Sequence, residues 1–243
     1  MGQKVTTAQL KQELNKLADP IRAESSAWFF KTNEGQYGYG DVFIGVSVPN
    51  QRKVAKQFHN LELNEVEKLL LSKEHEYRLT AVIILVDKFK KADALTKKQI
   101  YDFYLSHTKY INNWDIVDSS AGYIVGGYLL QNNKARNVLT KLAKSNNLWE
   151  RRIAIIATFA FIYDGKSEMT FEIAKLLIND GHDLIQKAVG WMLREVGKRV
   201  SLEKEEAFLL ENDRYKTMPR TMLRYAIERF EEKRRKEFLQ GSA

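Results

Sequence analysis

The placement of proline constrains the fold of this chain more than any other feature. The 243-residue sequence has 3 prolines, at positions 20, 49 and 219. Proline interrupts a helix because its ring removes a backbone hydrogen bond and clashes with the preceding turn. No such interruption occurs between Asn50 and Met218, and this long stretch favours an all-α fold.

Apolar residues along the same stretch recur at helical spacing. One helix face, at i, i+3, i+4 and i+7, is formed by Leu79, Val82, Ile83 and Val86. Short joints rich in asparagine, aspartate and glycine separate such segments, for example at 112–113, 145–147 and 179–181. These residue types suit helix caps and tight turns, so the sequence predicts many helices joined by short loops.

The predicted helices repeat with a period. Trp114 and Trp149 are 35 positions apart, and so are Arg152 and Lys187. Such a period is typical of helical-repeat solenoids of the HEAT or TPR kind, although a non-repeating bundle could match it by chance. We favour the solenoid because the joints recur together with the apolar faces. The predicted organisation is a single α-solenoid domain over 1–243, with N-terminal helices and a loop in 1–60, paired helices in 61–236 and a tail in 237–243.

The charge balance points to a polyanionic partner. Lysine and arginine number 39 against 31 aspartates and glutamates, a net charge of +8. This favours nucleic acid first and an anionic membrane second, although a basic chain can also be basic only for solubility. The sequence has no cysteine, which excludes disulfides and thiolate metal sites. It has neither a signal-like apolar run nor a membrane-length one, so we expect a cytoplasmic protein.

Several common catalytic motifs are missing from the sequence. The 4 histidines stand apart and form no HExxH pair, and no G-x-S-x-G or dinucleotide fingerprint occurs. We therefore expect no metal and no cofactor. His75 and Glu76 lack a second histidine at ligand spacing and are predicted to lie on the surface.

A glycine–aromatic segment interrupts the helical pattern at residues 33–45. Its glycines at 35, 38, 40 and 45 alternate with Tyr37, Tyr39, Asp41 and Phe43. This composition predicts an ordered loop, and no Gly-Lys-Ser/Thr follows to make it a phosphate-binding loop. The loop is either a connector that packs its aromatic rings on the first helices or a segment that contacts a ligand.

Three segments carry residues that packing and solubility explain poorly. In the first, Trp114 and Asp118 are four positions apart and project from one helix face, whereas Asp115 is at a position typical of helix capping. In the second, Trp149 is predicted to be core, and Arg152 opens a helix whose apolar residues must face inward. Because the apolar residues that follow take the core positions, one arginine of this segment is left to face the inner surface of the repeat.

The third segment places cations and an indole in one stripe. Lys187, Trp191 and Arg194 follow i, i+4, i+7 spacing. Gly190 costs a helix interior roughly 1 kcal/mol relative to alanine, which suggests close approach of another helix or of a ligand. The three segments occupy equivalent places in successive repeats, and stacking would align them on one concave face. Cations, aromatic rings and one carboxylate there suit DNA, with chemistry at one nucleotide.

These segments resemble a known family. N-W-D-x-V-D at 113–118, W-x-x-R at 149–152 and Q-K-A-x-G-W-x-x-R-E at 186–195 are similar to motifs of the AlkD-like DNA alkylation repair glycosylases. Weaker matches at 48–52 and 218–228 extend the resemblance over roughly Ala27 to Phe230. Asn113 stands where close members of the family are expected to have an aromatic residue.

The resemblance implies an all-α, HEAT-like solenoid with a basic concave face that binds duplex DNA. It implies base excision repair, in which cationic N3- or N7-alkylated purines are removed without base flipping by a monomeric, monofunctional glycosylase. The family's catalytic trio falls on Trp114, Asp118 and Trp191. Residues expected to bind DNA are Arg52, Phe29, Arg152, Lys187 and Arg194.

The chemistry of the bond agrees with this resemblance. Hydrolysis of an N-glycosidic bond passes through an oxocarbenium-like sugar. An alkylated purine that already carries positive charge departs as a neutral base, so one carboxylate at Asp118 can suffice. A catalytically silent HEAT-like module that binds DNA structure is the alternative, although it has no need of that carboxylate. A protein-binding scaffold would show no DNA affinity.

Overall fold

The computed structural model describes residues 5–131 and 135–243, and these residues form an all-helical protein. Within these ranges the extended backbone pairing is limited to an isolated bridge between Val42 and Glu74. The chain forms two compact units, Met1–Ser120 and Ala121–Ala243, here termed the N-terminal and C-terminal units. The interpretation of residues 1–243 as a single domain stays a prediction. In the described part of the chain no helix is long and apolar enough to cross a membrane.

The N-terminal unit is built from helices joined by short segments and by the glycine–aromatic loop. Its helices are α1 (Thr7–Asn15), α2 (Pro20–Phe29), α3 (Val48–Gln57), α4 (Leu63–Leu70), α5 (His75–Lys91), α6 (Ala94–Ser106) and α7 (Trp114–Asp118).

The core of this unit lies around α5. Leu79, Val82, Ile83 and Val86 are 2%, 0%, 6% and 6% exposed, as the apolar spacing predicts. The helix packs against α3, α4 and α7, and burial extends through nearly all of its first three turns. A helix that is buried on every side is at the centre of its unit, so the polar residues of its first turn must find partners inside the protein.

All three prolines lie where helices begin. Pro20 is in the first turn of α2, Pro49 is in the first turn of α3, and Pro219 precedes α16 (Arg220–Ala226). Proline fits there because the first turn has backbone N–H groups without helical partners in any case. In the described parts of residues 50–218, helix follows helix, as expected for a stretch without proline.

The C-terminal unit continues the helical pattern. After a π-helical turn at Gly122–Gly126, its remaining α-helices are α8 (Gly127–Leu129), α9 (Ala135–Ala143), α10 (Leu148–Ala157), α11 (Phe159–Tyr163), α12 (Glu168–Leu177), α13 (Asp183–Arg199), α14 (Leu202–Leu210), α15 (Arg214–Thr217) and α17 (Glu232–Gln240).

The repeat predicted from the sequence is present in this unit. The long helix α10 begins at Leu148 and α13 begins at Asp183, 35 positions later. The helix α9 precedes α10 and packs against it, and α12 precedes α13 in the same way. The helices α10 and α13 also pack against each other. The last helix ends at Gln240, so the segment predicted as a tail from 237 is helical over its first four residues.

Gly190 marks a close approach between two helices. A methyl group added at this glycine would lie 2.4 Å from the carbonyl oxygen of Met222 and 2.5 Å from Cβ of Tyr225. Both neighbours are on α16, which packs along α13. Of the two explanations offered by the sequence, another helix is therefore the neighbour that requires glycine here.

Gly190→Ala is expected to lower the free energy of unfolding by about 1 kcal/mol. The added methyl group forces two packed helices apart at a cost of about 1–3 kcal/mol. The higher helix propensity of alanine offsets roughly 1 kcal/mol of that cost. Urea unfolding measures the difference. Gly181→Ala is the matched control, since nothing lies within 4 Å of its added methyl group. Equal stability of the Gly190→Ala variant and the unmodified protein would contradict the steric argument.

Candidate functional site

The short helix α7 presents an indole and a carboxylate one turn apart. The side chain of Asn113 caps the helix by accepting a hydrogen bond from the backbone N–H of Trp114 at 2.8 Å. Ile116 and Val117 are fully buried and fix the inner face of the helix. Trp114 and Asp118 are both partly exposed, so the predicted pair is reachable from solvent.

The carboxylate of Asp118 acts electrostatically on a buried polar contact. The hydroxyl of Tyr104 is hydrogen-bonded to Oγ of Ser120 at 2.8 Å. Burial raises the pKa of Tyr104, and the negative charge of Asp118 raises it further. The Asp118 side chain itself keeps partial access to solvent.

A stack of aromatic rings fixes the orientation of Trp114. The indole lies parallel to the ring of Phe30, with centroids 5.3 Å apart and an interplanar angle of 17°. Phe30 in turn stacks on Phe43 at 5.1 Å. Phe29, which is 53% exposed, meets Trp114 edge-on at 6.1 Å. The two rings that contact the indole thus come from the end of α2 and its C-terminal cap, and Phe43 of the glycine–aromatic loop supports the ring of Phe30.

Behind the stack lies a buried charged group that we term the histidine cluster: Asp41, His75, Arg78, Asn113 and Asp115. Nδ1 of His75 is 3.2 Å from Asp41, and Nε2 is 2.9 Å from Asp115. Arg78 is 2.6 Å from the other oxygen of Asp41, and the Asn113 amide donates to Asp41 at 3.1 Å. Three separate segments, the loop, α5 and the start of α7, are joined at this point.

The electrostatics of the cluster favour a charged histidine. Burial alone would lower the pKa of His75, but the carboxylates of Asp115 and Asp41 outweigh burial and the repulsion of Arg78, and raise the pKa to about 9. Burial likewise opposes the charge of Asp41, but His75, Arg78 and Asn113 hold the pKa of that carboxyl below its ordinary value. At neutral pH the cluster contains an imidazolium between two carboxylates.

The prediction that His75 and Glu76 lie on the surface is wrong. Each is 2% exposed. The carboxylate of Glu76 accepts hydrogen bonds from the backbone N–H groups of Ile44 and Gly45, at 3.1 and 2.7 Å to its nearer oxygen. Metal-ligand spacing in the sequence does not indicate these partners, because they are backbone N–H groups about 30 positions earlier in the chain.

The glycine–aromatic loop acts as a connector that is fastened to the start of α5. Val42 donates its N–H to Lys73 at 3.1 Å and accepts from the N–H of His75 at 2.8 Å. Gly45 has a φ of +81°, and a methyl group added there would lie 1.9 Å from the carbonyl oxygen of Asp19. Of the two roles left open by the sequence, packing on the first helices is what these contacts support.

In the C-terminal unit, Trp191 is held by a chain of polar and aromatic contacts. Its Nε1 donates to Glu195 at 3.3 Å, and Glu195 accepts from Arg199 at 2.7 Å. The guanidinium of Arg199 lies 4.4 Å over the ring of Tyr163. Phe159 approaches the indole with centroids 5.9 Å apart. Trp191 is partly exposed, so the indole is oriented and accessible, as predicted for this residue.

Two cations accompany Trp191 on α13. Lys187 is 39% exposed and pairs with Asp183 at 2.9 Å. Arg194 is 19% exposed, pairs with Glu228 and lies 3.7 Å from Glu195. The predicted stripe therefore exists on one helix, with its cations in exchangeable ion pairs of the kind that phosphate groups can replace.

The remaining predicted cations differ in exposure. Arg52 is exposed on α3. Arg152 is only 5% exposed, and its Nη1 donates to the carbonyl of Leu184 at the first turn of α13. Its neighbour Arg151 pairs with Asp180 at 2.7 Å. Arg152 thus ties α10 to the next repeat, and its role in DNA binding stays a prediction.

The predicted catalytic trio is divided between the two units. Trp114 and Asp118, with Phe29 beside the indole, belong to the N-terminal unit, and Trp191 belongs to the C-terminal unit. Within residues 5–131 and 135–243, no group of three or more histidine, cysteine, aspartate or glutamate side chains is arranged to hold a metal ion. A common site for the trio stays a prediction.

Comparisons with known proteins agree with the fold. A family model described as DNA alkylation repair enzyme matches residues 10–230. A solved structure described as a predicted DNA alkylation repair enzyme from Enterococcus faecalis is 18% identical, with a TM-score of 0.70 over 88% of this chain and 97% of the other. No curated protein sequence matches the chain.

A second solved structure bears on the type of repeat. It is described as a new family of proteins related to the HEAT-like repeat DNA glycosylases with affinity for branched DNA structures. It is 16% identical, with a TM-score of 0.55 over 91% of this chain and 83% of the other. The all-α, HEAT-like repeat fold predicted from the sequence is confirmed.

Proposed function

Because the chain belongs to the DNA alkylation repair enzyme family, we propose that it is a monofunctional DNA glycosylase that releases cationic N3- or N7-alkylated purines from duplex DNA. One observation carries the proposal: the solvent-accessible carboxylate of Asp118 lies one helical turn from an indole whose orientation is fixed by aromatic stacking. A module that only binds DNA has no need of such a carboxylate.

The reaction requires little acid–base chemistry from the protein. A purine alkylated at N3 or N7 carries positive charge and leaves as a neutral base, so no general acid has to protonate it. The sugar becomes oxocarbenium-like, and the Asp118 carboxylate stabilises that charge and orients the attacking water. Trp114 and Trp191 offer electron-rich faces that attract cationic groups by about 0.5–2 kcal/mol each. The segment 113–118 around Asp118 contains no amine nucleophile, so the reaction is hydrolysis and the DNA strand stays intact.

The assay that tests the proposal is release of free alkylated purine from methylated duplex DNA. We expect release of 3-methyladenine or 7-methylguanine without strand cleavage, seen by chromatography of the free bases and by denaturing electrophoresis. Absence of release from every methylated duplex, with a folded protein, would contradict the proposed activity.

A second candidate function is binding of branched DNA without catalysis. The likeness to the protein described as having affinity for branched DNA structures favours it. Binding of a four-way junction at least tenfold tighter than a methylated duplex, together with no base release, would select this alternative.

Arg194→Ala is expected to weaken duplex binding about 5–10-fold at 0.1 M salt and to reduce the log–log salt slope by about one, as for loss of one phosphate contact. The guanidinium is partly exposed in an ion pair with Glu228, an arrangement that phosphate can displace. Fluorescence anisotropy against salt measures both quantities. Lys98→Ala, which removes an exposed cation of α6, is the control. Equal slopes for Arg194→Ala and the unmodified protein would exclude this contact.

A further inference from the structure

The histidine cluster contains an ion that the proposed reaction does not use. Both ring nitrogens of His75 face carboxylates, and the side chain is 2% exposed. A neutral imidazole has only one N–H, whereas an imidazolium can donate to both partners. The geometry of the ring therefore requires a buried cation, and a buried ion is costly unless its partners are fixed.

The helix that bears Trp114 and Asp118 is too short to hold a fixed orientation without contacts to other segments. α7 has five residues, little more than one turn, and an isolated helix of this length is unstable. Its orientation comes from contacts with other segments. Asn113 bonds to Asp41, Asp115 bonds to His75, and the indole of Trp114 lies on Phe30. Asp115 is on the same short helix as Trp114 and Asp118, and its carboxylate is 2.9 Å from Nε2 of His75.

We propose that the glycine–aromatic loop is a positioning element for α7. Asp41 and Phe43 of the loop hold His75 in place, and the His75–Asp115 ion pair sets the angle at which Trp114 and Asp118 project. Asp41, Phe43, His75 and Asp115 are positioning residues, because they act through α7. The inference rests on the proposed function only for its effect on base release.

The charges that face His75 come from three elements. Asp41 approaches from the loop, Asp115 approaches from α7, and Arg78 lies on the same helix as His75 and pairs with Asp41. Glu76, also in the first turn of α5, has its carboxylate bound by backbone N–H groups of the loop. Since the cluster is closed around the ring, loss of the imidazolium proton as pH rises through about 9 leaves one of the two carboxylates without its hydrogen bond from His75 and loosens α7.

The experiment follows the indole N–H of Trp114 by two-dimensional NMR between pH 6 and 10. The signal is assigned with Trp114→Phe. Asp115→Asn keeps an oxygen that can accept from His75 but removes the charge, and Asp102→Asn removes an exposed carboxylate of α6 as the matched control. Single-turnover release of 7-methylguanine at pH 7.5 and duplex affinity are measured for the same variants.

In the unmodified protein we expect the Trp114 signal to change with a midpoint near pH 9. In Asp115→Asn the midpoint is expected to fall by at least one pH unit. Base release is expected to fall about tenfold, because a displacement of less than 1 Å at reacting groups is costly. Duplex affinity is expected to change less than twofold, and the control is expected to behave as the unmodified protein in every measurement.

The outcomes separate the two proposals. If the unmodified protein releases base and Asp115→Asn releases it equally fast with an unchanged Trp114 titration, the positioning role is overturned. If the Trp114 signal titrates as expected while no base is released, the proposed function fails and the positioning of α7 stands. Should Asp115→Asn not fold, Phe43→Leu replaces it. This substitution keeps every charge and removes the stacked ring, and the Trp114 titration and the rate of base release are measured in the same way.

Discussion

Asp118→Asn is expected to slow base release by about 10²–10³-fold, the usual cost of removing a group that stabilises developing charge. Asparagine has nearly the same shape, so the local packing is kept, while the negative charge that we propose stabilises the oxocarbenium-like sugar is lost. Duplex affinity should change little, because the residues proposed to contact phosphate, such as Arg194, are on other helices. Single-turnover release of 7-methylguanine with protein in excess measures the chemical step directly.

The control for this substitution is Asp102→Asn on α6, which removes an exposed carboxylate paired with Lys98. It is expected to keep the full rate of release. A rate for Asp118→Asn within threefold of the unmodified protein, with both proteins folded, would remove Asp118 from the mechanism.

Glu205→Gln is expected to raise the free energy of unfolding by about 2 kcal/mol at pH 7.5. Glu205 is 1% exposed, and its Oε1 has no hydrogen-bond partner among the described residues. Burial raises the pKa of this carboxyl to about 9, even though Arg194 acts in the opposite direction. Between its ordinary value of 4.5 and about 9 the folded protein must take up a proton that the unfolded chain lacks, so this group destabilises the protein increasingly as pH rises.

The pH dependence distinguishes this effect from better packing. Glutamine has no proton to take up, so the advantage of Glu205→Gln should vanish near pH 4 and grow as pH rises. Urea unfolding at pH 4, 6 and 7.5 measures it. Glu232→Gln, at an exposed position of α17, is the control and should leave stability within about 0.5 kcal/mol. A pH-independent gain for Glu205→Gln would show that the carboxyl is not protonated in the folded protein.

Much of the fold could be predicted from local signals. Proline positions and apolar spacing report on the backbone within one or two turns. The 35-position period reports on the succession of helices, and α10 and α13 begin where that period requires. The pair Trp114 and Asp118 and the stripe on α13 could be identified for the same reason, since residues i, i+4 and i+7 share a face whatever the tertiary structure.

What the sequence could not show depends on partners that are distant in the chain. His75 and Glu76 look like surface residues until the loop more than 30 positions earlier places Asp41 and the N–H groups of Ile44 and Gly45 beside them. The hydrogen bond from Arg152 to the carbonyl of Leu184, 32 positions later in the chain, is a second such contact. Buried polar groups are placed by such long-range pairs, which periodicity does not encode.

The fastening of the glycine–aromatic loop has a consequence for access to the lesion. By composition the segment resembles an active-site lid, with glycines to hinge it and aromatic rings to cover a substrate. Its backbone N–H groups are nevertheless clamped by the Glu76 carboxylate, and Asp41 is fixed by a cation on either side. Opening it would break several charge-assisted hydrogen bonds at once. A gate for damaged DNA, if the reaction needs one, therefore has to be sought in another segment.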